Sequence, residues 1–349
     1  MLRIGVVGYG TGGRHFHAPF IQAAEGCALA GTVARADKTV AAVQADYPGL
    51  PVFPSLEAMI ASGAVEAVTI TTPPETRRYL VLQAIAAGLH VVADKPFAPD
   101  AAGARDLDRA AKAKGVTLGV YQNRRWDSDL QTLKKVIETG GLGQVWRIHS
   151  RMDFDDPATL EAGPTGGLLR DLGSHLVDQM LYLLGPVTSV MAHLDHVLLD
   201  QGPTDAAFHI SMSHASGQHS HVSASKLNRF AQRELRAYGS GGAYVSHSTD
   251  VQAQAVFAGL RPAQDLAAWG YEPESHWGSL YTAAGAARIP SEPGRYHAYY
   301  EAFARAIRNN TAAPVTAAEG TCTLAVLDAA RLSAEQGHSV AVDQEDSHG

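Results

Sequence analysis

Three stretches hold the residues best able to do chemistry. The first is "HVVADKPFAPD", residues 90–100. Val91, Val92 and Ala93 read as the end of a strand covered on both faces, because a short apolar run without alternation suits a buried parallel sheet. Asp94, Lys95 and Pro96 follow. A lysine is almost never fully buried unless it is paired, and the proline biases Lys95 toward an extended backbone. Two readings stand: a solvated loop charge ahead of a turn proline, or a lysine fixed at the end of a core strand.

The second stretch is "DLGSHLVDQMLYLLG", residues 171–185. Asp171, His175, Asp178 and Tyr182 follow helical spacing and share one face, while Leu176, Val177, Met180 and Leu184 take the opposite side. An amphipathic helix accounts for this pattern by itself. A histidine between two aspartates also makes a proton acceptor or donor near neutral pH, since a neighbouring carboxylate raises the imidazole pKa and orients the ring.

The third stretch is "GYGTGG", where Gly8, Gly10 and Gly13 fit G-x-G-x-x-G. Gly8 permits a tight turn, Gly10 lets a pyrophosphate approach the backbone, and Gly13 lets the next helix pack close to the strand. That helix offers free N–H groups to the phosphates. The loop Gly8, Gly10, Thr11, Gly12 and Gly13 lies between the first strand and helix of a βαβ unit, so it reads as a dinucleotide cradle. The bland alternative is a glycine-rich turn without a ligand. An NAD-selective site carries an acid at the end of the second strand. Here "LAGTVARADK" ends at Ala34 and Arg35, and Asp37 comes a little late. Arg35 either pairs with a 2′-phosphate, which favours NADP over NAD, or is a solvated loop arginine.

These stretches need elements to position them. The first third alternates strand-like Leu2–Val7, Ala28–Val33, Ala67–Ile70, Val91–Ala93 and Thr117–Val120 with helical His15–Ala24, Lys38–Asp46, Leu56–Ala61, Arg77–Ala87 and Ala101–Lys114. That rhythm predicts a doubly wound parallel sheet. Near residue 122 it changes. Helical patterns at Leu130–Thr139 and Gly173–Leu184 bracket strand-like Val145–Phe154. Strands at Val187–Asp195, Ala206–His214, His219–Ser225 and Arg233–Tyr238 follow, and helices at Tyr296–Arg308 and Ala317–Glu335 close the chain. The alternation in "FHISMS" and "HVSAS" suits an antiparallel sheet with one open face. The expected fold is α/β: a Rossmann domain over 1–122, then an α+β domain over 123–349 with a large mixed or antiparallel sheet.

Composition narrows the function. The chain has 349 residues, 46% apolar, with net charge −7 and no basic block, which argues against nucleic-acid binding. Cys27 and Cys322 fit neither a disulfide scaffold nor a metal site, and read as buried free thiols. His209, His214, His219 and His221 lie on strand-like runs without metal spacing, which leaves surface or interface roles. No metal is expected. The chain opens straight into a strand without a signal peptide, and no apolar run approaches the ~20 residues of a membrane helix. A cytoplasmic protein is expected. The tail "DQEDSHG" is polar and reads as loose.

Together "GYGTGGRHFHAPF", "TTPPET", "AGLHVVADKPFA", "YQNRRWDSD" and "GGLLRDLGSHLVDQ" resemble the glucose–fructose oxidoreductase / inositol dehydrogenase / MocA family, and most closely its NADP-linked scyllo-inositol dehydrogenase-like members. The resemblance implies an NAD(P)-dependent oxidoreductase acting on a CH–OH group of a sugar or cyclic polyol. It implies Lys95 under the nicotinamide, with Pro96 commonly cis, and maps the catalytic histidine and its aspartate onto His175 and Asp171. Thr71, Pro73 and Asp94 join the cofactor set, and Arg124, Trp126 and Asp153 are candidates for the substrate pocket. Asp94 replaces a commoner glutamate, and Arg77 stands where the family often has histidine. A homodimer or homotetramer through the second-domain sheet is implied. Two rivals share the fold: an NAD-dependent glycosidase, and a non-catalytic sensor of nucleotide or sugar.

Overall fold

The computed structural model describes residues 1–163, 166–247 and 250–343. Parallel strands β1 (Leu2–Val7), β2 (Cys27–Val33), β3 (Val52–Phe53), β4 (Ala67–Ile70), β5 (His90–Asp94) and β6 (Leu118–Tyr121) pair in the order β3-β2-β1-β4-β5-β6. That is the doubly wound order. The crossovers carry α1 (Ala18–Ala23), α2 (Asp37–Asp46), α3 (Leu56–Ala61), α4 (Pro74–Ala86) and α5 (Ala101–Lys114). Their ends follow local chemistry. The Ser55 hydroxyl caps α3, and the Asp100 side chain accepts from Gly103 N at the start of α5. Gly115 closes α5 at φ 72, a backbone that favours glycine. Ile4, Val6, Val68, Val91 and Val92 are fully buried, as a sheet covered on both faces requires.

The remaining elements are α6 (Ser128–Glu138), β7 (Val145–Asp155), α7 (Ser174–Leu184), β8 (Val187–Leu199), β9 (Gly202–His214), β10 (His219–Ser225), β11 (Leu227–Gly239), β12 (Gly242–Ser246), α8 (Val251–Phe257), β13 (Gly278–Thr282), β14 (Gly285–Ile289), α9 (Tyr296–Asn309), α10 (Ala317–Gln336) and β15 (Val340–Ala341). Nine of the strands form one sheet, ordered β14-β13-β12-β11-β7-β10-β9-β8-β15. Among the described residues, only the β7–β10 pair of this sheet is parallel. The sheet is therefore mixed and dominated by antiparallel pairs.

The chain forms two compact units, and it does not divide at a single point. The first holds Met1–Asn123, Gln252–Trp269 and Arg295–Gly320; the second holds Arg124–Val251, Gly270–Gly294 and Thr321–Gly349. The reason for the returns is aromatic. Tyr296, Tyr299, Tyr300 and Phe303 of α9 are fully buried, with Tyr296 5.2 Å from Phe20 and Tyr299 4.9 Å from Tyr121, ring to ring. Trp269 lies 5.9 Å from Phe20, and Phe257 lies 5.2 Å from His15. These rings have their partners in the first unit, so their segments pack there.

The helix expected at His15–Ala24 opens as a π-turn over Gly12–His17, and Leu169–Gly173 ahead of α7 is a second one. Such turns are often found at functional sites. A two-residue strand, β15, follows the last helix. Residues 344–349 of the polar tail lie outside the described residues. Among the described residues, no helix is long and apolar enough to cross a membrane.

Candidate functional site

In the first unit, the loop after β1 turns at Gly8, whose φ is +103°. Its carbonyl sits 2.0 Å from where a Cβ on Gly13 would stand, so any side chain at Gly13 would force the π-turn off the strand. Around Gly10 the space is open. A cavity of about 510 Å³ borders this loop, lined by Gly8, Tyr9 and Gly10, by Ala34, Arg35 and Thr39, by Leu56 and Glu57, and by Thr72, Pro73 and Tyr79 among others. Thr72 Oγ1 is buried without a hydrogen-bond partner among the described residues. That hydroxyl is occluded; what suits a pyrophosphate is the open space at Gly10 together with the close approach of Gly13 to the Gly8 carbonyl. The residues present thus suit a dinucleotide.

The expected cofactor residues divide here. Gly8, Gly10, Arg35 and Pro73 line the cavity. Thr11, Gly12 and Gly13 enter the π-turn behind it. Thr71 is turned toward the strand end instead, where its hydroxyl donates to Asp94 Oδ2 at 2.9 Å. Its neighbour in "TTPPET", Thr72, lines the cavity although its place in the sequence does not single it out. Arg35 is exposed and donates through Nε to the Pro54 carbonyl at 3.1 Å. Asp37 is the exposed first residue of α2. Across the cavity, the Glu57 carboxyl is pulled down to about 2, first by the Gln83 amide and the Ser55 hydroxyl, with Arg35 contributing less.

At the end of β5, Asp94 organises a turn. Its Oδ1 accepts the Lys95 peptide N–H at 2.8 Å, and its Oδ2 takes Thr71 and lies 3.4 Å from His17 Nε2. Burial pushes this carboxyl up, but His17, Arg77 and Lys95 together hold it below the usual carboxylate range. The Lys95–Pro96 bond is cis. Lys95 itself is half-buried. Arg77, the departure from the family pattern, is buried and donates to the Pro96 carbonyl at 2.6 Å and the Thr72 carbonyl at 2.7 Å. It braces the Asp94 turn against the cavity loop.

In the second unit, α7 departs from an amphipathic surface helix. Every residue from Ser174 to Met180 is buried, on the polar side as well as the apolar one. A helix buried all round is a core element. The shared face also changes at its start, because Asp171 lies in the π-turn, whose period is wider than that of an α-helix. Asp171 Oδ2 accepts from Lys226 Nζ at 3.0 Å, and Lys226 also donates to the Thr159 carbonyl at 3.1 Å. Asp178 takes the Arg125 guanidinium in a two-pronged pair at 2.9 and 2.8 Å, with Tyr182 4.9 Å from that guanidinium. His175 is buried beside these groups on α7, 6% exposed.

Arg124 and Trp126 are half-buried in the turn before α6. Arg124 pairs with Asp127 at 3.0 Å, and its carbonyl accepts from Gln179 of α7 at 3.2 Å. Asp153 stands apart. It alternates with buried Met152 on β7, so its side chain lies on the other sheet face, with Arg151 and with Asn228 Nδ2 at 3.0 Å. That face lies away from the core residues Ile148 and Val222, and Asp153 itself is buried. The same face also carries a row of histidines. The His149 and His221 rings are 4.7 Å apart, and His221 and His209 are 6.3 Å apart. Burial first, then His221 and Arg147, pushes His149 down to about 4. Among the described residues, no group of three or more His, Cys, Asp or Glu could hold a metal ion.

Comparison with known proteins gives two family matches. Residues 2–122 match the oxidoreductase family with NAD-binding Rossmann fold, and residues 130–245 match the GFO/IDH/MocA C-terminal domain. The chain is 31% identical to scyllo-inositol 2-dehydrogenase (NADP(+)) IolW of Bacillus subtilis (strain 168), over 98% of this chain and 96% of that protein. It is 32% identical to the uncharacterized oxidoreductase YdgJ of Escherichia coli (strain K12), over 94% of each. The solved structure of Bacillus subtilis YvaA superposes with a TM-score of 0.90 at 30% identity, covering 98% of this chain and 99% of that one.

Proposed function

The chain belongs to the GFO/IDH/MocA oxidoreductase family, and on that premise we propose that it interconverts a CH–OH group and a carbonyl on a sugar or inositol-like cyclic polyol, with NADP favoured over NAD. One observation carries the reading: the Asp94-centred turn, which fixes a half-buried Lys95 at the carboxyl end of β5. Gly8, Gly10, Thr72, Pro73 and Arg35 hold the dinucleotide, which when bound supplies acceptance or donation of a hydride.

The protein's own residues do the rest. Lys95 hydrogen-bonds the reacting oxygen and stabilises charge developing on it. His175 takes the hydroxyl proton in oxidation and returns it in reduction. Asp171, held by Lys226, orients His175 or the substrate. Arg124 and Trp126 shape the substrate pocket. Ala34 and Arg35 support NADP, since the end of β2 itself carries no carboxylate and Arg35 stands between a 2′-phosphate and Glu57 on the same cavity. The name of the IolW relative points the same way. A second copy of the chain covers the histidine-bearing sheet face, giving a dimer or tetramer.

The test is a panel of sugars and inositols with both cofactors, followed at 340 nm. Net reduction of NADP by a free polyol is expected. His175→Ala should lose ~10²–10⁴ in rate while still binding dinucleotide. Cleavage of a glycoside without net cofactor change would replace the reading with a glycosidase. Dinucleotide binding without turnover of any substrate would leave a sensor.

A further inference from the structure

His17 is fully buried in the π-turn between the glycine loop and α1. Its Nδ1 lies 2.6 Å from the Tyr300 hydroxyl, which lies 3.2 Å from Thr69 Oγ1. Its Nε2 faces Asp94 Oδ2 at 3.4 Å, and its ring packs on Tyr121 with centroids 4.3 Å apart. Tyr300 and Thr69 are fully buried too. A core that only needed filling would use an apolar ring, because each buried polar atom carries a desolvation penalty that only good partners offset. Here Nε2 has no hydrogen-bond partner among the described residues, and the group it faces is a carboxylate whose oxygens already hold the Lys95 peptide N–H and the Thr71 hydroxyl.

We propose that His17 is a positioning residue for the Asp94–Lys95–Pro96 turn, tying Tyr300 to the Asp94 carboxylate and holding that carboxylate under the Lys95 peptide N–H. The inference rests on the reading of Lys95 as the group that bonds the reacting oxygen. It reaches further, because it makes α9 part of the site: Tyr300 is 283 residues from His17 in the chain. The groups facing the imidazole are Asp94 from β5, Tyr121 from β6 and Tyr300 from α9. Of these, Asp94 is the anion, and His17 is the foremost group drawing its carboxyl below the ordinary range against the upward push of burial.

The test uses three variants of the full-length enzyme, with Lys95→Ala made in parallel. His17→Phe keeps a ring against Tyr121 and deletes both nitrogens. His17→Gln returns a donor near the Nε2 position. Tyr300→Phe removes one hydroxyl and leaves the packing. Steady-state kinetics are read with the polyol from the panel, dinucleotide Kd by cofactor fluorescence, and folding by thermal melts. His17→Phe should lower kcat about 10- to 100-fold, the scale of a small misplacement of a reacting group, with polyol KM and dinucleotide Kd within about threefold of wild type. His17→Gln should recover part of the loss, and Tyr300→Phe should fall between. If Lys95→Ala is inactive while folded His17→Phe keeps wild-type kcat, the inference is overturned. It is equally overturned if His17→Phe raises dinucleotide Kd and spares kcat, since His17 would then serve the glycine loop alone. If His17→Phe does not fold, Tyr300→Phe and His17→Gln decide by the same criterion. Unchanged kcat in Lys95→Ala would instead overturn the reading of Lys95, and the proposed role of His17 with it.

Discussion

Asp178→Asn should destabilise the second unit by several kcal/mol, and the structure gives the terms. The Asp178 and Arg125 side chains are 2% and 5% exposed, and two bonds of 2.8 and 2.9 Å join them. Taking both charges out of water costs free energy that only this geometry offsets. Removing one charge leaves the other buried and uncompensated, a loss of about 3–5 kcal/mol. For a unit of this size, 1 kcal/mol moves Tm by about 2–4 °C, so Asp178→Asn should lower Tm by about 6–20 °C. The double variant Arg125→Met with Asp178→Leu removes both charges. It should sit closer to wild type than the sum of the singles, since no stranded charge remains. The effect should reach activity below Tm, because Gln131 bonds the Arg125 carbonyl and Gln179 bonds that of Arg124, linking this turn to the helix of His175. Calorimetry or urea denaturation of the wild type, Asp178→Asn, Arg125→Met, Asp178→Leu and the double variant measures it. A Tm for Asp178→Asn within about 2 °C of wild type, or singles that simply add, would refute the reasoning.

Other perturbations report on the remaining parts. Arg35→Ala should weaken NADP about tenfold or more and leave NAD nearly untouched, because a guanidinium–phosphate bond is charge-assisted. Equal kcat/KM with both cofactors in the wild type would remove that premise. Lys226→Met should lower kcat/KM for the polyol about tenfold by freeing Asp171 from its cation, with Lys226→Arg restoring part of it; no change would detach Asp171 from the chemistry. Acid should destabilise the fold in the histidine range. Burial in the fold pushes the His149 imidazole down to about 4, from its ordinary 6.5 in the unfolded chain. Between these values the unfolded chain binds more protons, so stability falls as pH drops through that window. His149→Gln should flatten part of the slope in urea titrations at stepped pH, and an identical slope would assign it elsewhere.

The βα rhythm, the glycine loop and the position of Lys95 were legible in the sequence because each depends on near neighbours. Apolar period, capping side chains and a turn glycine act over a few residues, and the family motifs are read from the same short stretches. Helix α5, for instance, has the bounds that Asp100 and Gly115 dictate. What only the tertiary structure decided involves partners far apart in the chain. No local pattern tells that α9 returns to cover the parallel sheet, or that Tyr300 meets His17 there. The polar side of α7 reads as a surface face until Arg125 arrives to neutralise Asp178, 53 residues away. Asp153 and Met152 differ by one position, yet strand alternation sends them to opposite faces, and which face meets the core depends on what packs against it. Lys226 carries no motif at all; it reaches Asp171 because the end of β10 brings it to the π-turn. Periodicity decides which residues share a side, and only packing decides which side is buried and which charges meet.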